Sequence, residues 1–280
     1  MDWSKVKNVL IVVFMILNAF LLINIIAANT GDGVSNETLA NTKSILEARG
    51  FVLKCGIPDY NSDSVKLNYE TSEYERVKIA GLLLGKEITG KFEAGREFIE
   101  NGRKVRFNPD MSIEMEDPGS GLAPDIPDII KKTYGYIEQR VNGTGIPLKN
   151  YKPENEYDKL PDGGISVTYI ERYKDYLVYD NYIRITIFKN RQVNLKLNYN
   201  KVTGVKKENL EGTKPIPVYQ ILLSEFVKDR AAIITGIDLG FKGDSVEQGS
   251  KVVNKRPVWR IKIEGQEPEY YNVYDGDRIN

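Results

Sequence analysis

The longest apolar run in the chain covers residues 9–28, where 20 consecutive residues carry no charge. As an α-helix, a run of this length crosses a bilayer core of about 30 Å. A secretory signal peptide has a shorter apolar region of about 7–15 residues, followed by a cleavage site with small residues. Ile26-Ala27-Ala28 offers only a poor site of that kind. The pattern therefore predicts a transmembrane helix over 9–28, with a cleaved signal peptide as the alternative.

The flanking charges predict the orientation of this helix. Lys5 and Lys7 precede it, and the next basic residue is Lys43. Because basic residues are retained on the cytoplasmic side of a membrane, residues 1–8 are expected in the cytoplasm. The chain from residue 29 onward is then extracellular, and the protein is expected in the cell membrane as a single-pass protein.

Two amide side chains interrupt the apolar run. Asn18 lies at its middle, and Asn24 follows further along the same run. An amide in hydrocarbon is costly unless it finds a hydrogen-bond partner, and a bond between two transmembrane helices contributes about 0.6–2 kcal/mol. Asn18 and Asn24 are therefore candidate contacts with a partner's transmembrane helix, although a single anchor also tolerates asparagine.

A folded region begins soon after the apolar run. Residues 29–35 are polar and predict a short tether. The pattern then favours a helix that Ser35 or Asn36 caps and Gly50 ends. Its expected apolar stripe consists of Leu39, Ile45 and Leu46.

Strand patterns follow this helix. Val65, Leu67 and Tyr69 alternate with polar neighbours over 64–70, and residues 98–107 hold an Asn-Gly dipeptide between two strand-like pieces. Asn-Gly favours a type I′ turn, so the second segment predicts a hairpin. Together the elements predict an extracellular α+β domain over 36–118.

A second α+β domain is predicted over 124–280, after a linker at 117–124 that reads DPGSGLAP. Helices are expected from Asp125 to Val141 and from Pro217. Their apolar faces consist of Ile129, Ile130, Tyr134, Ile137 and Val141 in the first and of Val218, Ile221, Leu222 and Phe226 in the second. Half-buried antiparallel strands are predicted at 165–169, 183–187, 193–199 and 258–263. Runs of strands after each helix predict an α+β fold of antiparallel sheets with helices packed on one face.

Charge balance and the absence of histidine narrow the possible chemistry. Lys and Arg number 39 and so do Asp and Glu, which argues against an electrostatic nucleic-acid binder. The chain has no histidine, which removes the Ser-His-Asp triad, the Cys-His pair and most zinc sites. A glycosidase built on two carboxylates needs no histidine, but no carboxylate pair stands out. The sequence predicts no catalytic residue, no cofactor, no metal site and no nucleic-acid partner.

The chain has one cysteine, Cys55, so it forms no disulfide within itself. We expect Cys55 to be a small buried hydrophobic residue beside Leu53 and Ile57. The alternative is a disulfide between two chains, since a lone thiol is unusual outside the cell.

Tyrosines are concentrated in one stretch of the second domain. Tyr169, Tyr173, Tyr176, Tyr179 and Tyr182 fall within fourteen residues. If this stretch pairs as a hairpin, half of them face outward, and exposed tyrosine is typical of protein interfaces. Tyr173, Tyr176, Tyr179 and Tyr182 are therefore candidate extracellular contacts with a partner. The alternative is that they only cover the sheet and its loops.

Several of these segments resemble one known family. The opening MDWSK-x-K before an apolar anchor is similar to the start of the YycI family of Gram-positive bacteria. The Tyr-rich region before an LNYN strand and the C-terminal PVWRIKI strand agree with that family in arrangement. The segment Ile216–Asn280 is also similar to PepSY-type domains.

The resemblance implies a function that composition does not reveal. YycI-like proteins, with the related YycH proteins, associate with the YycG (WalK) sensor histidine kinase and modulate its control of cell-wall metabolism. The family has no catalytic residues to carry over, and its transmembrane helix is thought to contact the kinase helices. The PepSY likeness implies a different possibility, an extracellular inhibitor or chaperone of a peptidase or wall hydrolase.

Overall fold

The structure is a computed structural model of the 280-residue chain. It describes residues 11, 13–15, 17–18, 34–59, 65–70, 72–154, 157–174, 176–207, 215–227, 231–243 and 252–279, with the side chains of 252–254 excepted.

The described residues of the predicted transmembrane segment are helical. Ile11, Phe14 and Leu17 expose about half of their surface or more. The Asn18 side-chain amide donates a hydrogen bond to the Phe14 carbonyl oxygen, 2.9 Å away in the preceding turn. Among the described residues, no helix combines the length and the apolar character needed to cross a membrane. Asn24 lies outside the described residues.

The elements beyond this segment form an α+β fold. The helices are α1 (Asn36–Ala48), α2 (Glu73–Leu84), α3 (Ile129–Val141) and α4 (Val218–Glu225), with a 3-10 turn at Leu148–Asn150. The strands are β1 (Val52–Leu53), β2 (Val65–Glu70), β3 (Glu97–Glu100), β4 (Arg103–Phe107), β5 (Ile113–Asp117), β6 (Tyr151–Pro153), β7 (Asp158–Lys159), β8 (Ile165–Tyr173), β9 (Tyr176–Ile187), β10 (Val193–Asn198), β11 (Lys201–Lys207), β12 (Ile233–Phe241), β13 (Val252–Lys255), β14 (Pro257–Ile263), β15 (Glu269–Asn272) and β16 (Arg278–Ile279).

Within the described part of the chain, one large sheet holds most of the strands. Its order is β16-β15-β14-β12-β9-β10-β5-β4-β3, with β1 beside β12 and with β8, β6 and β7 on the other edge of β9. Strand pairs in it are antiparallel except β1–β12 and the short β12–β9 contact. Strands β11, β2 and β13 form a separate three-stranded antiparallel sheet. The predicted α+β class is confirmed, and its antiparallel strands lie mainly in one large sheet.

The first hydrophobic core lies between one face of β3–β5 and β8–β10 and the helices α2 and α3. Strand alternation produces this face, because side chains at every second position point to the same side of a sheet. The fully buried residues on this face of the central strands are Ile183, Ile185 and Ile187 on β9, Val193, Leu195 and Leu197 on β10, and Ile113 and Met115 on β5. Buried Asp117 then fixes α3 to this sheet, since it accepts hydrogen bonds from Tyr136 (2.8 Å) and Arg140 (2.7 Å).

The second core lies where α1 and α4 pack on β12, β14 and β15. Trp259 is fully buried there, and its indole N–H donates to the Ile216 carbonyl at 3.0 Å. The predicted apolar face of the helix after Pro217 is confirmed, with Val218, Ile221, Leu222 and Phe226 all buried. Cys55 is partly buried against this core beside Leu53 and Ile57.

Helix α1 begins and ends close to the predicted residues. Ser35 caps it by accepting a hydrogen bond from the Thr38 N–H at 3.1 Å, and Gly50 follows it with a positive φ of 94°. The predicted apolar stripe was wrong for Ile45, which is 41% exposed, whereas Leu46 is buried.

The structure differs from the helix predictions in two places. Helix α2 was not predicted, because it is buried almost all round and so lacks a one-sided apolar period. Gly81 within it approaches the following loop so closely that a Cβ would lie 2.9 Å from the Lys86 carbonyl oxygen. Helix α3 begins at Ile129, not at Asp125, because the chain turns at Asp128, whose φ is 55°.

The sheets join segments from both predicted domains. Strand β5 pairs with β10 from Ile113↔Leu197 to Asp117↔Val193. Strand β1 pairs with β12, and α1 packs in the second core with α4. The pairings therefore cross the boundary predicted between 118 and 124, and the segments on its two sides share one sheet.

We predict that Leu195→Ala lowers the free energy of unfolding of the full-length protein by about 2–5 kcal/mol, because Leu195 is fully buried between β5 and β9. Ile45→Ala is the matched control on an exposed apolar residue and should change it by less than about 0.5 kcal/mol. Chemical denaturation followed by circular dichroism measures both. Equal losses in the two variants would contradict the core assignment.

Candidate functional site

Strand β9 carries a three-residue bulge opposite β8. Ile170 pairs with Tyr182 and the next residue, Glu171, pairs with Val178. Tyr179, Asp180 and Asn181 are therefore inserted between two successive pairs of the ladder. Bulges bend a strand and redirect its side chains, and each of these three residues contacts a different part of the molecule.

Tyr179 contacts β14 and β15 on the face opposite the second core. Its buried ring lies under the Arg260 guanidinium, 4.5 Å from the ring centroid, and meets the Tyr270 ring edge-on at 5.3 Å. Arg260 is itself buried, and its charge is compensated by Glu154 at 2.5 Å and Asp238 at 2.7 Å. Burial raises the pKa of Tyr179 well above its ordinary value, so the phenol stays neutral.

Asp180 faces the small sheet. Its carboxylate contacts the Lys255 ammonium and accepts a hydrogen bond from the Gly243 N–H at 2.8 Å. Lys255 is buried, and its ammonium also lies over the Tyr69 ring, 4.5 Å from the centroid. A buried ammonium requires such compensation, because transfer out of water costs several kcal/mol per ion. Asp180 thus attaches β13 to β9.

Asn181 faces the first sheet. Its side-chain N–H groups donate to Glu171 at 2.5 Å and to the Asn200 carbonyl at 2.7 Å. Its side-chain oxygen accepts from the Asn200 backbone N–H at 2.9 Å and from the Asn200 amide at 3.1 Å. Glu171 is 2% exposed, and burial raises the pKa of its carboxyl above the ordinary value.

Arg76 of α2 extends this network. Its guanidinium donates to Asn200 at 2.8 Å, to Asn198 at 2.9 Å and to the Met111 carbonyl at 2.6 Å. These acceptors are neutral, and burial lowers the pKa of Arg76 to about 10. The side chain therefore connects α2 with the strand ends around the bulge through directional hydrogen bonds.

The bulge residues connect strands β8–β10, strands β14 and β15, and the small sheet at one place. Gly240 allows the close approach of β12 to β9, because a Cβ there would lie 2.5 Å from the Leu177 carbonyl oxygen and 2.7 Å from the Tyr179 ring. Most of the buried polar side chains here bond one another, although the Tyr179 hydroxyl and the Nε atoms of Arg76 and Arg260 have no partner within the described residues. The arrangement is suited to holding parts of a protein in one geometry.

The four candidate tyrosines lie in and beside this region. Tyr173 and Tyr176 are partly buried at the end of the β8–β9 hairpin, where the Tyr176 ring meets the Phe241 ring at 5.2 Å. Tyr182 is partly buried, and Tyr179 is 6% exposed. Surface for a partner is thus offered by Tyr173, Tyr176 and Tyr182, whereas the Tyr179 ring is covered. Their role as contacts stays a prediction.

Sequence reasoning missed the polar half of this region. The dipeptide Asp180-Asn181 interrupts an otherwise apolar and aromatic strand, and such a pair is the local signal of a bulge. The partners Arg76, Asn200 and Lys255 had no signal, because they come from segments far away along the chain.

These features define an α+β protein in which buried polar residues connect sheets. The chain belongs to the YycI family, whose model, described as YycI protein, matches residues 30–274. The resemblance drawn from the sequence is confirmed. This is a regulatory family, and membership implies association with the YycG/WalK sensor-kinase system. A comparison with curated proteins found no match.

We predict that Glu171→Gln removes a contribution to stability that declines as the pH rises. Below the ordinary pKa near 4.5, Glu171 is protonated in the folded and unfolded chain alike. As the pH rises above that value, the unfolded chain ionises first, so stability falls until the raised folded pKa is passed. Glutamine keeps an oxygen for Asn181 and does not ionise.

The measurement is the free energy of unfolding of both proteins between pH 4 and pH 8. Asp110 and Glu114 have lowered pKa values and produce the opposite trend in both proteins, so the difference between the two curves isolates Glu171. The variant should gain relative to the wild type as the pH rises. A constant difference across this range would refute the assignment.

Proposed function

We propose that this protein is a non-enzymatic, membrane-anchored regulator of a YycG/WalK-like sensor histidine kinase that controls cell-wall metabolism. The observation that carries the proposal is the match of the YycI family model to residues 30–274. A YycH-like membrane protein is the expected second partner. The protein acts through contacts of its transmembrane helix and of its extracellular part.

The anchor contact is proposed to involve Asn18 and Asn24. One N–H of Asn18 is already used within its own helix, where it bonds the Phe14 carbonyl oxygen. Among the described residues its side-chain oxygen and second N–H have no partner, so they are available to another helix. The bond within the helix reduces the cost of placing the amide in lipid, and a second bond between helices adds specificity.

The extracellular contact is proposed at the end of the β8–β9 hairpin, around Tyr173 and Tyr176. Tyrosine rings offer a large contact area with few rotatable bonds. Two attachments on one tether raise the effective concentration of the second, so each is individually weak and the pair is strong. Regulation requires that this protein bind one kinase state more tightly than the other.

We predict that Asn18→Leu weakens association with the kinase in membranes by about 0.6–2 kcal/mol, because one hydrogen bond between helices is lost. Replacement of residues 9–28 by leucine should abolish the association that depends on the anchor. Crosslinking or a two-hybrid assay of the full-length proteins measures both. Val13→Leu is the matched control in the same helix and should bind as the wild type does.

The outcomes separate the competing functions. Unchanged binding in Asn18→Leu and in the polyleucine variant would reduce the helix to a tether. No binding of the native protein to the kinase would refute the regulator proposal. An extracellular inhibitor or chaperone of a peptidase or wall hydrolase would then be the better description, and it would bind without the anchor.

We predict that Tyr173→Ala weakens the extracellular contact, by about 1–2 kcal/mol if it is a central interface residue. Tyr74→Ala is the matched control, because Tyr74 is 79% exposed on α2 and lies outside the hairpin. Both variants are compared in the polyleucine background, where only the extracellular contact contributes. Equal binding of the two variants would exclude the hairpin as the contact surface.

A further inference from the structure

An open groove lies on the polar side of the first sheet, at the opposite end of β9 from the tyrosine hairpin. Its volume is about 410 Å³, within the range of about 300–1,000 Å³ that is typical of small-molecule sites. The lining residues come from β5, from the β9–β10 turn and β10, and from the loop before β8: Glu116, Asp162, Phe188, Lys189, Asn190, Gln192 and Asn194.

Hydrogen bonds and close packing fix the two loops of the groove. In the β9–β10 turn, Phe188 N–H donates to the Gln192 carbonyl at 2.9 Å, and the Asn190 side chain accepts from the Gln192 N–H at 3.0 Å. In the facing loop, Asp162 accepts from the Gly164 N–H at 2.9 Å. A Cβ on Gly164 would lie 2.6 Å from the Ile187 carbonyl oxygen, so glycine allows the loops to touch.

Phe188 is the unusual residue of the groove. Strand alternation places Ile187 in the first core and Phe188 on the opposite, polar face of the sheet. Its ring is half-buried, yet it belongs to none of the hydrophobic clusters in the part of the chain that the structure describes. An aromatic side chain that belongs to no apolar cluster therefore lines the groove.

The groups around this ring are mostly amides and carboxylates. Asn194 donates to Glu114 at 2.5 Å, which orients its amide. Glu116 is paired with Lys104 at 2.9 Å and keeps acceptor capacity. The Gln192 side chain forms no hydrogen bond within the described residues, so its donors and acceptor are available to a ligand.

We propose that this groove binds an uncharged oligosaccharide. The C–H face of a sugar ring stacks on an aromatic ring, and its hydroxyl groups pair with amides and carboxylates, which are the groups present here. The two lining acids, Glu116 and Asp162, are balanced by Lys189 and by Lys104 beside the groove, so the site favours neither an anion nor a cation.

This proposal stands on the lining of the groove and not on the kinase association. The ligand site and the proposed partner contacts use different residues. Failure of one test therefore leaves the other intact.

The test is a calorimetric titration of the full-length protein in lipid nanodiscs with a β-1,4 tetramer of N-acetylglucosamine and with a β-1,4 tetramer of glucose. We expect saturable binding of at least one tetramer. Phe188→Ala should weaken it about tenfold, the equivalent of about 1.4 kcal/mol, through loss of ring stacking. Gln192→Ala removes hydrogen bonds without altering the aromatic ring and should weaken it about threefold to tenfold.

Tyr157→Ala is the matched control, since Tyr157 is an exposed aromatic residue that does not line the groove. It should bind as the wild type does. Thermal unfolding of each variant shows whether the fold is retained, and Gln192→Ala keeps the test valid if Phe188→Ala is destabilised. Absence of saturable binding to both tetramers, or equal binding by wild type and the two groove variants, would overturn the proposal.

Discussion

Strand β9 is the constraint on which the rest of the structure depends, because it lines the first core, pairs with β12 of the second and also supports the small sheet. Its second half pairs with β8 and β10 in the first core, and its first residues pair with β12 of the second. A regular strand could not direct side chains toward all of these parts, since its side chains alternate strictly between two faces. The bulge at Tyr179, Asp180 and Asn181 resolves this conflict by assigning one residue to each attached part.

The buried polar groups of the bulge contribute more to the specificity of the arrangement of the connected parts than to its stability. An apolar replacement of similar shape is often as stable as a buried ion pair, whereas loss of one partner leaves a buried group unsatisfied. Lys255 needs Asp180, and Arg260 needs Glu154 and Asp238, which come from different segments. The three parts are therefore held in one arrangement in which each contact supports the others.

Those parts of the fold that have a local period of hydrophobic positions can be predicted from the sequence. The strands β8, β9 and β10 alternate, α4 has one apolar face, and the hairpin turn carries Asn101-Gly102 with positive φ at both residues. Helix α2 was not predicted, because it is buried almost all round. The pairing of the small sheet was not predicted, because β2, β11 and β13 are far apart in sequence and pairing at such a distance leaves no local signal. The bulge partners of Asp180 and Asn181 escaped for the same reason.

The position of α1 connects the proposed membrane anchor to this junction. Arg49, just beyond α1, donates to the carbonyl oxygens of Leu223 at 2.7 Å and Phe226 at 3.1 Å, so α1 is attached to α4 and the second core. The second core is connected to β9 through the β12 pairing, and β14 through the Arg260–Tyr179 contact. From the bulge, β9 runs in one direction to the tyrosine hairpin and in the other to the groove at Phe188. A single strand thus connects the proposed partner surface, the proposed ligand groove and, through β12, the core to which α1 is attached. A ligand or partner bound at any of these places shifts the equilibrium between two states only if it binds them with different affinity.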